Sequence, residues 1–269
     1  AVALCEELEG FVFNRGEAQF YERVEEYDPP LFARIRTQVA AGRWHIMGGW
    51  YVQCDCNLPA GESILRQIGR GRRYFADRFG VRPTTAVNLD PFGHARGLVQ
   101  LLAQTGYDAY LFCRPGREAG GFPAPEFRWI GYEGSAVTAI LAEPHYNSPP
   151  GRAAEKVEVW LERAGERGLH LLPWGVGNHG GGPSREDFAA LAALARRRPE
   201  LEFVHSTPER YAAAVRAGGE LPAWAGDLNP FAVGCYTSQV RVKQAHRRLE
   251  NALFRTEKVA AAARLAAGA

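Results

Sequence analysis

In the stretch PPLFARIRTQVAAGRW, Leu31, Ile35 and Val39 recur at four-residue spacing, with Pro29 and Pro30 ahead of them and Gly42 behind. That spacing predicts helical structure within residues 17–42. WHIMGGWYV is a short apolar run broken by Gly48 and Gly49, the pattern of a buried strand entering a loop. A second helical pattern covers residues 58–80 and ends on Gly80. From there apolar runs and helical periods alternate. TTAVNL reads as a strand ending at Asp90, and the next helix stops at Gly106. DAYLFCR and SAVTAILAE read as strands, and residues 155–168 as a helix. LHLLPWGVG reads as a strand, residues 184–199 as a helix opened by Ser184 with Glu186 and Asp187 in its first turn, and LEFVHST as a strand. The alternation predicts an α/β fold built on a parallel sheet or barrel with covering helices.

The pattern changes near the end. TSQVRVKQAHRRLENALFRTEKVAAAARLAAGA carries one long helical period that becomes Ala-rich and has no stop signal. We therefore divide the chain into an α/β unit, residues 1–222, and the start of a helical domain, residues 223–269. The chain opens on Ala1, contains a single methionine, Met47, and reads as if it begins inside an element.

Composition narrows the classes. Hydrophobic residues are 46% and charged residues 23% of 269, an ordinary globular balance. A net charge of +2 argues for neither nucleic acid nor an anionic membrane surface as partner. No apolar run approaches the roughly 20 residues that span a bilayer. Five cysteines without regular spacing, of which Cys54 and Cys56 are a lone pair, fit reduced thiols in a cytoplasmic protein better than a disulfide framework. A homo-oligomer remains compatible with these totals.

In parallel α/β folds the chemistry gathers in loops after the C-terminal ends of strands. Five polar clusters fall at such places: Asp55-Cys56-Asn57, Asp90 to His94, Arg114, Asn178-His179 and Asp227-Leu228-Asn229. Asp90 is the leading candidate, as a metal ligand, nucleophile or general acid/base. The competing reading is an aspartate that caps a turn, which Pro91 weakens by removing a nearby donor. Phe92 offers an aromatic face for a sugar, or a core residue. His94 and His179 are candidate zinc ligands, although a lone histidine at a strand end is more often structural. No H-x-H, H-E-x-x-H or H-x-D occurs. The glycines of GVGNHGGGPS let backbone approach a ligand, but the loop lacks the Lys-Ser/Thr of a phosphate-binding loop.

Taken in order, GRWHIMGGWYVQCDCNLPAGESILRQIGRGRRYF, FGVRPTTAVNLDPFGHARGLVQLLAQTGYDAYLFCRPG, WGVGNHGGGPSRED and VGCYTSQVRVKQAHRRLENALFRTEK resemble glycoside hydrolase family 38, the α-mannosidases, over residues 10–265. The resemblance implies a distorted seven-stranded barrel-like sheet followed by the first helix of a helical bundle. It implies a retaining α-mannosidase that acts on terminal α-mannosides through a covalent glycosyl-aspartate, with one zinc ion assisting. Asp90 then matches the nucleophile and zinc ligand, Phe92 an aromatic residue packed on the zinc-bound sugar, and Arg114 an arginine beside the nucleophile that can contact substrate. Asp55, His179 and Tyr236 fall among the substrate-binding positions. The general acid lies a few residues before the Gly-Cys-Tyr-Thr stretch; a strict alignment lands near Asn229, and Asp227 is the nearest carboxyl group.

Two departures bear on this expectation. Of the family's four zinc ligands only Asp90 is identifiable, and one carboxylate does not hold zinc tightly. The chain accordingly reads as an inactive fragment of an α-mannosidase. A non-catalytic mannoside-binding relative is one alternative. A polysaccharide deacetylase of the related barrel fold is another, but its Asp-Asp pair and H-x-x-x-H set are lacking.

Overall fold

A computed structural model describes residues 1–164, 168–177 and 182–268. The chain begins with α1 (Val2–Glu7), β1 (Phe13–Arg15), α2 (Ala18–Tyr27), α3 (Pro29–Ala40), β2 (Trp44–Ile46) and α4 (Gly61–Phe79). It continues through β3 (Thr85–Asn88), α5 (Leu98–Gln104), β4 (Ala109–Phe112), α6 (Arg117–Gly120), β5 (Glu126–Ile130) and β6 (Ala136–Leu141). It ends with α7 (Ala153–Ala164), α8 (Arg185–Arg197), α9 (Pro208–Ala217), β7 (Ala223–Trp224), α10 (Gly234–Thr237) and α11 (Val240–Ala266).

The sheet departs from the expected seven-stranded barrel. Among the described residues the strands lie in two sheets, β1 beside β2, and a five-stranded sheet ordered β3-β4-β6-β5-β7. The larger sheet is mixed. β3, β4 and β6 are parallel neighbours, β5 runs antiparallel to β6, and β7 pairs parallel with β5. LHLLPWGVG and LEFVHST, expected as strands, form no ladder; the first contributes only the isolated bridge from Val176 to Ser148. Both are anchored by side chains instead, with Leu172, Trp174 and Phe203 packed on a cluster of α7 and α8 residues. The expected helix over residues 17–42 is two helices. Asp28 separates them, and its carboxylate accepts from Leu31 N at 3.0 Å while Pro29 opens α3.

β3 and β4 are buried at every position, which is why β4 reads as an unbroken apolar run and β3 carries only Thr85 and Asn88 as polar residues. Their side chains still alternate between two cores. Ala86, Tyr110, Phe112, Ala139 and Leu141 face one cluster with Ile64 and Ile68 of α4 and Leu98 and Leu102 of α5. Val87, Leu111, Ile140 and Ala142 face the other, closed by Tyr211, Ala212 and Val215 of α9. A third cluster holds α1, α2, α3 and β2 around Tyr21, Ile35, Trp44 and Phe75.

Two glycines are required by close approach. A Cβ on Gly71 of α4 would lie 2.5 Å from Tyr51 N and closer still to Trp50 and Gly49 backbone atoms. Gly93, at φ +117°, leaves the space that the Asn229 side chain fills.

The long helix α11 touches the α/β unit through polar groups. Glu250, 5% exposed, accepts from Ser63 Oγ at 2.5 Å and Ala60 N at 2.9 Å, and Glu257 pairs with Arg66 of α4 at 2.6 Å. Val240, Val242, Leu249, Leu253, Val259 and Leu265 of the same helix are exposed.

Candidate active site

The parallel pairing of β3, β4 and β6 brings their C-terminal ends together, with Asn88 opposite Phe112 and Phe112 opposite Leu141. The three loops that follow carry Asp90, Arg114 and Tyr146, and these side chains meet. Arg114 Nη1 forms an ion pair with Asp90 Oδ1, and the Tyr146 hydroxyl donates to Asp90 Oδ2 at 2.9 Å. Arg114 Nη2 donates to His145 Nε2 at 3.3 Å, and His145 Nδ1–H donates to Asn147 Oδ1 at 2.9 Å. The guanidinium also lies 4.8 Å from the centre of the Phe231 ring. The Asp90 side chain is 50% exposed and that of Arg114 26%, so the carboxylate is held from behind and open in front. Burial first, and then the hydrogen bond to Asp90, push the Tyr146 phenol above its ordinary range and keep it a donor.

His94 is placed beneath this group. It is fully buried; its Nε2 lies 2.7 Å from the Arg114 carbonyl and its Nδ1 2.5 Å from the Tyr110 hydroxyl. A carbonyl only accepts, so Nε2 carries the proton and Nδ1 accepts from Tyr110. Burial pulls the imidazole down to about 4, so the ring is neutral. Both nitrogens are used, and of the two roles considered for His94 the structure selects the structural one. It supports the backbone of Arg114 rather than offering a lone pair to a metal.

A second group adjoins the first through Phe92. The Phe92 ring meets Tyr236 edge to face at 6.5 Å. The Tyr236 hydroxyl donates to Asp55 Oδ2 at 2.8 Å and accepts from Asn57 Nδ2 at 2.9 Å. Asp55 Oδ1 accepts from the backbone of Asn57 and Leu58 at 2.8 and 2.7 Å, the turn-capping geometry of a short acidic side chain. Burial pushes the Tyr236 phenol well above its usual range. The 227–229 segment runs antiparallel beside residue 94, with His94 N bonded to Leu228 O at 3.0 Å and Leu228 N to His94 O at 2.9 Å. This places Asn229 over Gly93, where Asn57 Nδ2 reaches its Oδ1 at 3.4 Å. Asp227 falls on the other side of Leu228; its exposed carboxylate accepts from Arg96 N at 2.6 Å.

Asp90, Phe92, Arg114, Asp55 and Tyr236 thus fall into one connected set, and Asp227 sits beside it. His179, with Asn178, lies outside the described residues. Tyr146, His145 and Phe231 were not singled out from sequence. The strand-end rule that selected Asp90 reaches the first two, since PHYN directly follows SAVTAILAE. Phe231 enters only through the backward run of residues 227–231, which no local pattern announces. Among the described residues no group of three or more His, Cys, Asp and Glu side chains is arranged to hold a metal ion.

Comparison with known proteins places the chain in a family. Alpha-mannosidase G of Dictyostelium discoideum is 31% identical over 258 residues, covering 92% of this chain and 23% of the relative. Alpha-mannosidase 2C1 of Mus musculus is 29% identical over 262 residues, covering 96% and 25%. The chain therefore spans about a quarter of the length of these curated relatives. The crystal structure of an alpha-mannosidase from Enterococcus faecalis V583 shares the fold, with a TM-score of 0.70 at 24% identity over 84% of this chain and 27% of that one. The model of the glycosyl hydrolases family 38 N-terminal domain matches residues 1–227, and the chain belongs to that family.

Proposed function

We propose that this chain carries the nucleophile of a retaining α-mannosidase acting on terminal α-mannosides. The observation that supports this best is Asp90: a half-exposed carboxylate at a strand end, with one oxygen paired to Arg114 and the other bonded by Tyr146. In this reading Asp90 attacks the anomeric carbon as the bond to the leaving oxygen breaks. Water then hydrolyses the glycosyl-aspartate, so configuration is retained over two displacements. Arg114 and Tyr146 fix the direction of the carboxylate, and Phe92 offers the sugar an aromatic face. Asp227 is the carboxyl group we assign to protonation of the leaving oxygen, and Asp55, Tyr236 and His179 border the substrate.

The described residues do not by themselves fit a zinc site, since they gather no set of three candidate ligands. Zinc enters the proposal only as an ion to which Asp90 would supply one ligand, and the 269 residues alone are expected to be inactive. Residues 223–269 are assigned to the start of a helical domain. The five cysteines all carry free thiols, which suits a cytoplasmic location, and no described helix is long and apolar enough to cross a membrane.

The test uses the full polypeptide that contains this chain, assayed for mannose release from an aryl α-mannoside with zinc present. Asp90→Asn should lower kcat by about 10⁴-fold or more. Asp90→Ala supplied with azide should yield the β-mannosyl azide, the product of a single displacement at the vacated position. Full activity in Asp90→Asn would overturn the assignment.

A further inference from the structure

The residues that meet Asp90 and Arg114 from the third loop are held by a group well away from the carboxylate. Lys156 projects from α7, and its ammonium donates to three main-chain carbonyls: His145 at 2.5 Å, Asn147 at 2.9 Å and Pro173 at 2.5 Å. An ammonium has three N–H donors and no acceptor, so three carbonyls saturate it. Two of them flank Tyr146 on either side, and the third belongs to the neighbouring segment after α7. No carboxylate is among these partners.

We propose that Lys156 is a positioning residue. It clamps the backbone on both sides of Tyr146, so that the phenol stays on Asp90. The proposal rests on the reading of Asp90 as nucleophile. Burial draws the lysine down to about 8, so holding a charged amine there opposes its own desolvation, and an aliphatic residue would fill the space without that cost. The competing role is that of a general loop anchor. The loop already has a separate one, since Ser148 N donates to Gly175 O at 2.9 Å and Gly175 N to Ser148 Oγ at 3.2 Å. The clamp lies three and one residues before that anchor, on the two residues that flank Tyr146.

A double-mutant cycle in the full polypeptide separates the two roles. Lys156→Met should lower kcat on an aryl α-mannoside by about 10- to 100-fold, the scale of an ångström-sized misplacement, with KM changed by less than about threefold. Tyr146→Phe should lower kcat to a similar extent. If Lys156 acts through Tyr146, the double variant should be no slower than Tyr146→Phe alone. Lys156→Arg, which keeps a saturating set of donors, should recover part of the loss. Multiplicative effects in the double variant, or a Lys156→Met variant with unchanged kcat, would overturn the proposal. If Lys156→Met gives no cooperative unfolding transition, Lys156→Gln takes its place in the same cycle, because its amide retains two N–H donors. Asp90→Asn is assayed alongside: an active Asp90→Asn sinks the nucleophile reading, whereas an inactive one with multiplicative Lys156 and Tyr146 effects sinks only the clamp.

Discussion

Asp90 and Asp227 are both exposed acidic residues near strand ends, and their partners separate them. Asp90 faces a guanidinium and a phenol across two loops, whereas Asp227 accepts from one backbone amide, Arg96 N. If Asp227 also protonates the leaving oxygen, Asp227→Asn should lower kcat by about 10²- to 10⁴-fold on an alkyl mannoside, whose leaving group needs the proton. An aryl mannoside with an acidic phenol should feel far less. Equal small effects on both substrates, with a lowered unfolding midpoint, would leave Asp227 with its capping role alone. The sequence exposed Asp90 and Arg114 because both follow apolar strands directly. Lys156 was out of reach for the opposite reason: its function lies in three carbonyls that side-chain patterns do not encode, and on the helix it reads as an ordinary solvated lysine.

Elements were legible where local spacing decides them. The helices of residues 61–79 and 185–197 and the strands β3, β4 and β6 lie within the runs that periodicity marks. LHLLPW and LEFVHST failed as strands because apolar character specifies burial, and burial can be met by side-chain packing without a ladder. The split at Asp28 was missed because Pro29 and Pro30 serve equally as a helix start and as an interruption. The α4 helix offers a direct test of how tightly elements pack. Gly71→Ala would push a methyl into the backbone of Trp50 and Tyr51, whereas Gly69, in the same helix, faces open space. Gly71→Ala should destabilise by about 1–3 kcal/mol or more, and Gly69→Ala should stabilise by up to about 1 kcal/mol. Urea midpoints of the two variants check this, and equal shifts would refute the close approach.

On the scale of the whole molecule, His94 ties pH to stability. Its folded value of about 4 lies below the ordinary 6.5. Between those limits the unfolded chain takes up a proton that the folded chain refuses, so falling pH favours unfolding. The loss should begin near pH 6.5, reach about 2 kcal/mol by pH 5 from this group alone and continue towards pH 4. His205, also drawn down by burial, adds in the same direction. Denaturant unfolding at pH 7 and pH 5 measures it; an unchanged midpoint would mean that His94 is not buried neutral. The attachment of α11 has a mechanical consequence. Twenty-seven residues make a rod of about 40 Å, held at Glu250 and Glu257 while its apolar side chains stand clear. Lys243, in its first turn, donates to the carbonyls of Cys235 and Ser238, on either side of Tyr236. Two anchors about 10 Å apart along the axis fix the direction of the helix. The same rigid element therefore joins the α4 surface to the backbone around Tyr236, so the setting of the aromatic pair Phe92 and Tyr236 is tied to α4 as well as to its own loops.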